Sequence, residues 1–72
     1  MKAYKIMMQN GTKKEMTYDE VCAALEINPN VQFVKITTRG TIGAYVGKPE
    51  EFRHLRRMIE KAGFVASKAL KA

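Results

Sequence analysis

The stretch Ala3–Leu25, AYKIMMQNGTKKEMTYDEVCAAL, contains the signals that decide the fold. Before Asn10-Gly11, apolar residues alternate along the chain in the pattern of a strand with one buried face. Asn10-Gly11 indicates a hairpin, because both residues tolerate positive φ. A type I turn with a glycine bulge sets Tyr4 opposite Met16 and collects the apolar side chains on one face. A two-residue turn would instead leave Met16 facing Lys5, so we predict the bulged hairpin, with strands over 3–8 and 12–16.

A helix is predicted directly after this hairpin. Thr17, followed three residues later by Glu20, forms a capping box in which each side chain accepts a hydrogen bond from the other residue's backbone N–H. The apolar residues that follow recur at helical spacing and predict the buried face: Tyr18, Val21, Cys22 and Leu25. We expect this helix to end near Asn28, because Pro29 disfavours the helical conformation of the residue before it.

A second helix is predicted to begin at Pro49, since proline is favoured at the first helical position and the next two residues are glutamates. Its apolar stripe consists of Phe52, Leu55, Ile59 and Ala62. Gly63 is expected to cap this helix and to let Phe64 fold back on Ile59. The basic tail over residues 65–72 is left open between a short helix, an edge strand and a frayed end.

The second half of the chain repeats the order of the first. Residues 31–38 are rich in β-branched side chains and predict a strand, which returns over residues 41–46 after a turn at Arg39-Gly40. Neither half could bury its apolar face alone. We therefore predict an α+β fold, a single ββαββα domain over residues 1–64 with a four-stranded, mostly antiparallel sheet and both helices on one face. In the alternative, residues 12–16 are a loop and the tail is a strand, which gives a ferredoxin-like βαββαβ order.

The charge of the chain is concentrated in its last third. The net charge is +6 over 72 residues, and residues 53–72 alone carry six Lys and Arg against one Glu. Arg53, Arg57 and Lys61 recur every four residues on the side of the second helix opposite its apolar stripe, with Arg56 alongside. Like charges at this spacing destabilise a helix, which favours a role in meeting phosphates or an acidic surface. A solvated face with basic residues near the helix C-terminus remains the alternative.

A second candidate surface is the sheet face directed away from the helices. Strand alternation predicts that Phe33, Lys35 and Tyr45 lie there, near Arg39 of the turn. Aromatic residues interleaved with lysines stack bases in RNA-binding modules. An open face with apolar side chains is also a candidate homodimer surface.

Nothing in the sequence indicates an enzyme. The one Cys, Cys22, lies on a predicted buried face, and His54 lies on the other helix. A zinc site needs more nitrogen and sulfur ligands than these two provide, and no glycine-rich phosphate loop is present, so we expect no metal and no cofactor. A single Cys favours the reducing cytoplasm, and no apolar run reaches the ~20 residues of a membrane helix.

These observations predict a small non-enzymatic binding module that contacts nucleic-acid phosphates through its second helix. The side chains assigned to that contact are Arg53, Arg56, Arg57 and Lys61. The alternative is an inhibitor or adaptor, of the accessory type found in phages and mobile elements, that docks on an acidic partner protein. No motif in the chain decides between these partners.

Overall fold

Two hairpins, each followed by a helix, make up most of the structure, a computed structural model that describes residues 2–67 and 70–71. The elements, in chain order, are β1 (Ala3–Met7), β2 (Lys13–Thr17), α1 (Tyr18–Ala24), a 3₁₀ turn (Pro29–Val31), β3 (Val34–Ile36), β4 (Ile42–Val46), α2 (Pro49–Lys61) and β5 (Leu70–Lys71). The predicted α+β class is confirmed, with all four predicted strands and both helices present.

The strands form two sheets, whereas the sequence predicted one sheet of four strands. β1 and β2 form an antiparallel pair, while β4 lies between an antiparallel β3 and a parallel β5. The ferredoxin-like alternative is wrong about β2, which is a strand and precedes the first helix. The same alternative predicted a strand in the tail, and Leu70–Lys71 form one. The observed ββαββαβ order therefore combines features of both predicted orders.

The first hairpin has the predicted bulged register. Tyr4 lies opposite Met16. The Gly11 N–H donates to the Met8 carbonyl at 3.0 Å, and the Met8 N–H donates to the Thr12 carbonyl at 2.8 Å. Gly11 has a φ of 85°, as the bulge position of this turn requires.

Helix α1 begins at the predicted capping box and ends earlier than predicted. The Glu20 N–H donates to Thr17 Oγ1 at 3.2 Å, and the Thr17 N–H donates to Glu20 Oε1 at 3.0 Å. The helix ends at Ala24, four residues before Asn28, because Glu26 adopts a left-handed conformation with a φ of 58°. The N–H groups of Glu26 and of the next residue return to carbonyls of the last turn, which is the Schellman arrangement.

Strand β3 is shorter than the predicted strand over residues 31–38. A 3₁₀ turn occupies Pro29–Val31, and Gln32 follows in a left-handed conformation with a φ of 55°. The Phe33 carbonyl still accepts a cross-strand hydrogen bond from the Tyr45 N–H at 2.8 Å, but the half-buried Phe33 side chain packs against the core. Phe33 is therefore less open than strand alternation predicted, and its place in a binding surface stays a prediction.

Both halves of the chain contribute to one hydrophobic core. Its buried members are Ile6, Met16, Val21, Leu25, Val34, Ile42, Ile59 and Phe64. The predicted contact of Phe64 with the end of α2 is confirmed, since the Phe64 N–H donates to the Ile59 carbonyl at 3.2 Å and both side chains are buried. Leu55 is only half-buried, because it lies about 60° around α2 from the buried Phe52.

The segment after α2 joins the two sheets. The Val65 N–H donates to the Met7 carbonyl at 3.1 Å, and the Val65 carbonyl accepts from the Ile42 N–H at 2.9 Å. The chain thus continues in hydrogen-bonded structure past residue 64, the end of the predicted domain. Of the three conformations left open for the tail, Leu70–Lys71 adopt that of a strand. Residues 68, 69 and 72 lie outside the described residues.

The turn of the second hairpin docks directly on β1. The Met7 N–H donates to the Gly40 carbonyl at 2.9 Å. Gly40 has a φ of 86°, and a Cβ at this position would overlap the carbonyl oxygen of Lys5 and lie 3.0 Å from the Met7 nitrogen. Only glycine permits both this conformation and this close approach. Gly40 therefore fixes the distance between the two hairpins.

Candidate functional site

Helix α2 is anchored through one face. Phe52 and Ile59 are buried on that face, two helical turns apart, and the helix packs against β4. In the first turn, Glu51 Oε2 accepts a hydrogen bond from the Gly47 N–H at 3.2 Å. These contacts fix the rotation of the helix about its axis, so its opposite face is held towards solvent.

The solvent-facing side of α2 carries a basic stripe, which we define as Arg53, Arg57 and Lys61. All three residues are exposed. Successive members lie one turn apart, about 6 Å along the helix axis. Within the described part of the chain, the one ion pair is Arg56 with Glu60, so no carboxylate neutralises the stripe. The stripe is a row of three unpaired cations on a helix of fixed orientation.

Arg56, the fourth predicted contact residue, has a different environment. Its Nε lies 3.5 Å from Glu60 Oε1, one helical turn further on. Both side chains are more than half exposed, and ion pairs of this kind contribute little stability. The pair nevertheless cancels the Arg56 charge locally, which makes Arg56 secondary to the basic stripe.

The charges of α2 are also polarised along its length. Glu50 and Glu51 occupy the first turn, whereas the basic stripe begins at Arg53 and reaches the last residue of the helix. Carboxylates suit the positive end of the helix dipole and basic groups suit the negative end. The positive side-chain charge of α2 therefore lies in its C-terminal half, where Glu60 is the one acidic residue.

The sheet face retains three of its four predicted residues. Lys35 and Tyr45 are exposed, with Lys35 Nζ 5.8 Å from the centroid of the Tyr45 ring, and Arg39 is exposed in the turn of the second hairpin. Phe33 lies beside Tyr45, since its carbonyl accepts from the Tyr45 N–H at 2.8 Å, but its half-buried ring packs against the core. The exposed aromatic ring among these four residues is that of Tyr45, which makes a cation–π contact with Lys35.

The residues considered for catalysis do not form an exposed pair. Cys22 is fully buried, and burial raises the pKa of its thiol, whereas His54 is exposed on α2. Burial also raises the pKa of the neighbouring Tyr18 phenol. In the described ranges, no three His, Cys, Asp or Glu side chains come close enough together to hold a metal ion.

A group of lysines near the N-terminus was not predicted from the sequence. Lys2, Lys5 and Lys13 line one cleft together with residues of the second hairpin. Part of this arrangement could have been predicted, since Lys5 and Lys13 fall on the same face of the predicted hairpin. The contribution of the second hairpin could not, because it depends on the docking of Gly40.

Comparisons with known proteins supply no relative, since no protein-family model, no curated protein and no solved structure matches the chain. The helices in the described part of the chain include none with the length and apolar character needed to cross a bilayer. The basic stripe is a surface feature of α2 whose three cations have no ion-pair partner among the described residues.

Proposed function

We propose that this protein is a small non-enzymatic module that binds nucleic-acid phosphates through the basic stripe. The observation that carries the proposal is the row of unpaired cations at Arg53, Arg57 and Lys61 on a helix anchored by its opposite face. A cation that already has a carboxylate partner must give up that contact to bind phosphate. The stripe has no such contact to lose.

The side chains of the stripe suit the binding of phosphate groups. Arginine presents several donors in a planar arrangement that matches phosphate oxygens, and Arg53 and Arg57 supply two such groups one turn apart. Lys61 adds a point charge one turn further on. Contacts to phosphate carry no sequence information, so we expect binding that tolerates many sequences and weakens with salt.

The sheet face is a separate surface from the stripe. Along β4, which packs against α2, Ala44 is buried while Tyr45 is exposed, so the two side chains lie on opposite sides of the strand. We therefore assign the primary contact to α2 alone, and the homodimer through the sheet face stays a prediction.

We also propose a cytoplasmic location and an accessory role of the kind found in phages and mobile elements. A free, buried Cys22 supports the location, because small secreted domains depend on disulfides. The small size and basic charge of the chain support the accessory role.

The test compares two variants that each remove two positive charges. Arg53→Gln/Arg57→Gln changes the stripe, and Lys14→Gln/Lys48→Gln changes two exposed lysines elsewhere. Fluorescence anisotropy with a labelled duplex at low ionic strength should show a loss of about tenfold or more for the stripe variant, because each arginine makes a charge-assisted contact. The control variant should bind like wild type.

Two results would contradict the proposal. Equal loss in both variants would show that net charge, and not the stripe, drives binding. If wild-type protein binds neither DNA nor RNA at low ionic strength, the nucleic-acid proposal is wrong. Capture of an acidic partner protein that survives nuclease treatment and is lost in the stripe variant would then support the alternative.

A further inference from the structure

A basic cleft lies between the two hairpins, remote in sequence from the stripe. We call it the lysine cleft and define it by its polar lining residues, Lys2, Lys5, Lys13, Thr37 and Thr38. Together with Tyr4 and Ile36 they line a volume of about 400 Å³. The described residues that line it include no carboxylate. A concave surface with three cations and no acid is a candidate site for an anion.

The first wall of the cleft follows from the register of the first hairpin. Lys5 lies opposite Glu15, and Met7 lies opposite Lys13, so Lys5 and Lys13 are diagonal neighbours on the same face. Diagonal partners in an antiparallel pair are within reach of long side chains. Lys2, just before β1, also lines the cleft, and its Nζ lies 5.2 Å from the centroid of the Tyr4 ring.

The second wall is the turn of the second hairpin, brought against β1 by the close packing of Gly40. Thr37 is occupied within its own turn, where its hydroxyl accepts from the Thr41 N–H at 3.1 Å. Thr38 is exposed, and its N–H and hydroxyl make no hydrogen bond within residues 2–67. Thr38 therefore adds uncommitted donors to the three lysines.

The acidic residues nearest to these lysines do not pair with them. Glu15 stands opposite Lys5 in the ladder, and Asp19 lines a neighbouring cleft with Lys2. Neither carboxylate lies within 4 Å of a lysine nitrogen, since Arg56 with Glu60 is the one ion pair in the described part of the chain. Three lysines that line one concavity without an ion-paired carboxylate give it a positive potential, which attracts an anion.

We propose that the lysine cleft is a phosphate-binding site. Ammonium groups and hydroxyls are donors, and the oxygens of a phosphate group are strong acceptors of charge-assisted hydrogen bonds. The phosphate belongs either to a small free ligand or to the backbone of a nucleic acid. The inference does not depend on the stripe, because none of the cleft residues lies on α2.

The test is a titration followed by amide ¹H–¹⁵N NMR at low ionic strength, first with inorganic pyrophosphate and then with a short DNA duplex. The cleft variant is Lys5→Gln/Lys13→Gln, and the charge-matched control is Lys14→Gln/Lys48→Gln. Lys13 and Lys14 are neighbours in sequence but lie on opposite faces of β2. Lys5→Arg/Lys13→Arg keeps the charge and should restore binding.

Saturable shifts at the Thr38 and Arg39 amides with pyrophosphate, weakened about tenfold in the cleft variant and unchanged in the control, would establish a site for a free phosphate ligand. The same pattern with the duplex alone would establish a site for backbone phosphate. If neither ligand shifts these amides, or if the cleft variant and the control respond alike, the proposal is overturned. These shifts are read separately from those on α2, so failure of the stripe and failure of the cleft are distinguishable.

Discussion

Replacing Gly40 with alanine tests how the two hairpins are held together. The new Cβ would overlap the Lys5 carbonyl oxygen, which belongs to the backbone of β1 and cannot rotate away. The turn must therefore move and weaken the hydrogen bond from Met7 to Gly40. A left-handed alanine costs about 1 kcal/mol, and displacing a packed, hydrogen-bonded turn adds about 2 kcal/mol. We expect Gly40→Ala to lower the free energy of unfolding by about 3 kcal/mol.

Gly11 provides the matched control because it occupies the same turn position in the first hairpin. Its φ of 85° is almost identical to that of Gly40, but no atom lies within 4 Å of the Cβ that alanine would add. Gly11→Ala should therefore lower the free energy of unfolding by about 1 kcal/mol, the cost of placing alanine in a left-handed conformation. Urea denaturation followed by circular dichroism measures both variants. If the two free energies of unfolding agree within about 0.5 kcal/mol, the close approach of Gly40 to β1 contributes nothing and the reasoning is refuted.

Further predictions concern the helices and their ends. Glu26→Gly should raise the free energy of unfolding by up to about 1 kcal/mol, because Glu26 occupies a left-handed cap with a φ of 58°; a lower value in urea denaturation would contradict this. Ile59→Ala should lower the free energy of unfolding by about 2–5 kcal/mol in the same assay. Leu55→Ala should lower it clearly less, because Leu55 is half-buried. Hydrogen bonds from Thr17 hold the pKa of Glu20 below its usual value. The stability contributed by this carboxylate is therefore present at neutral pH and lost as the pH falls through the lowered pKa. The melting temperature of wild type should exceed that of Glu20→Gln at pH 7, and the two melting temperatures should converge in acid. A difference that persists at low pH would contradict this account.

Local signals in the sequence correctly predicted the turn of the first hairpin, the start of α1 and the end of α2. Asn10-Gly11 predicted the correct register of the first hairpin, because a bulged turn collects the apolar side chains on one face and a two-residue turn does not. The capping box of Thr17 and Glu20 and the cap at Gly63 were also predicted correctly, since each depends on residues within one or two turns.

The failures involve contacts between distant segments or backbone conformations that are unusual for the residue. Glu26 and Gln32 are left-handed without being glycine, so neither the early end of α1 nor the inward packing of Phe33 could be predicted from propensity. The link that Val65 makes between Met7 and Ile42 joins three separate parts of the chain. The basic stripe could be predicted because helical spacing alone defines it, whereas the lysine cleft needs the docking of two hairpins.

The most direct test of the central proposal is the salt dependence of duplex binding by wild-type protein and by Arg53→Gln/Arg57→Gln. Each phosphate contact contributes about 0.9 to the slope of log K against log salt concentration on duplex DNA. The account predicts a steep slope for wild type, a slope flatter by about 1.8 for the stripe variant, and an unchanged slope for Lys14→Gln/Lys48→Gln. Binding by wild type that is insensitive to salt, or a stripe variant whose slope equals that of wild type, would contradict it.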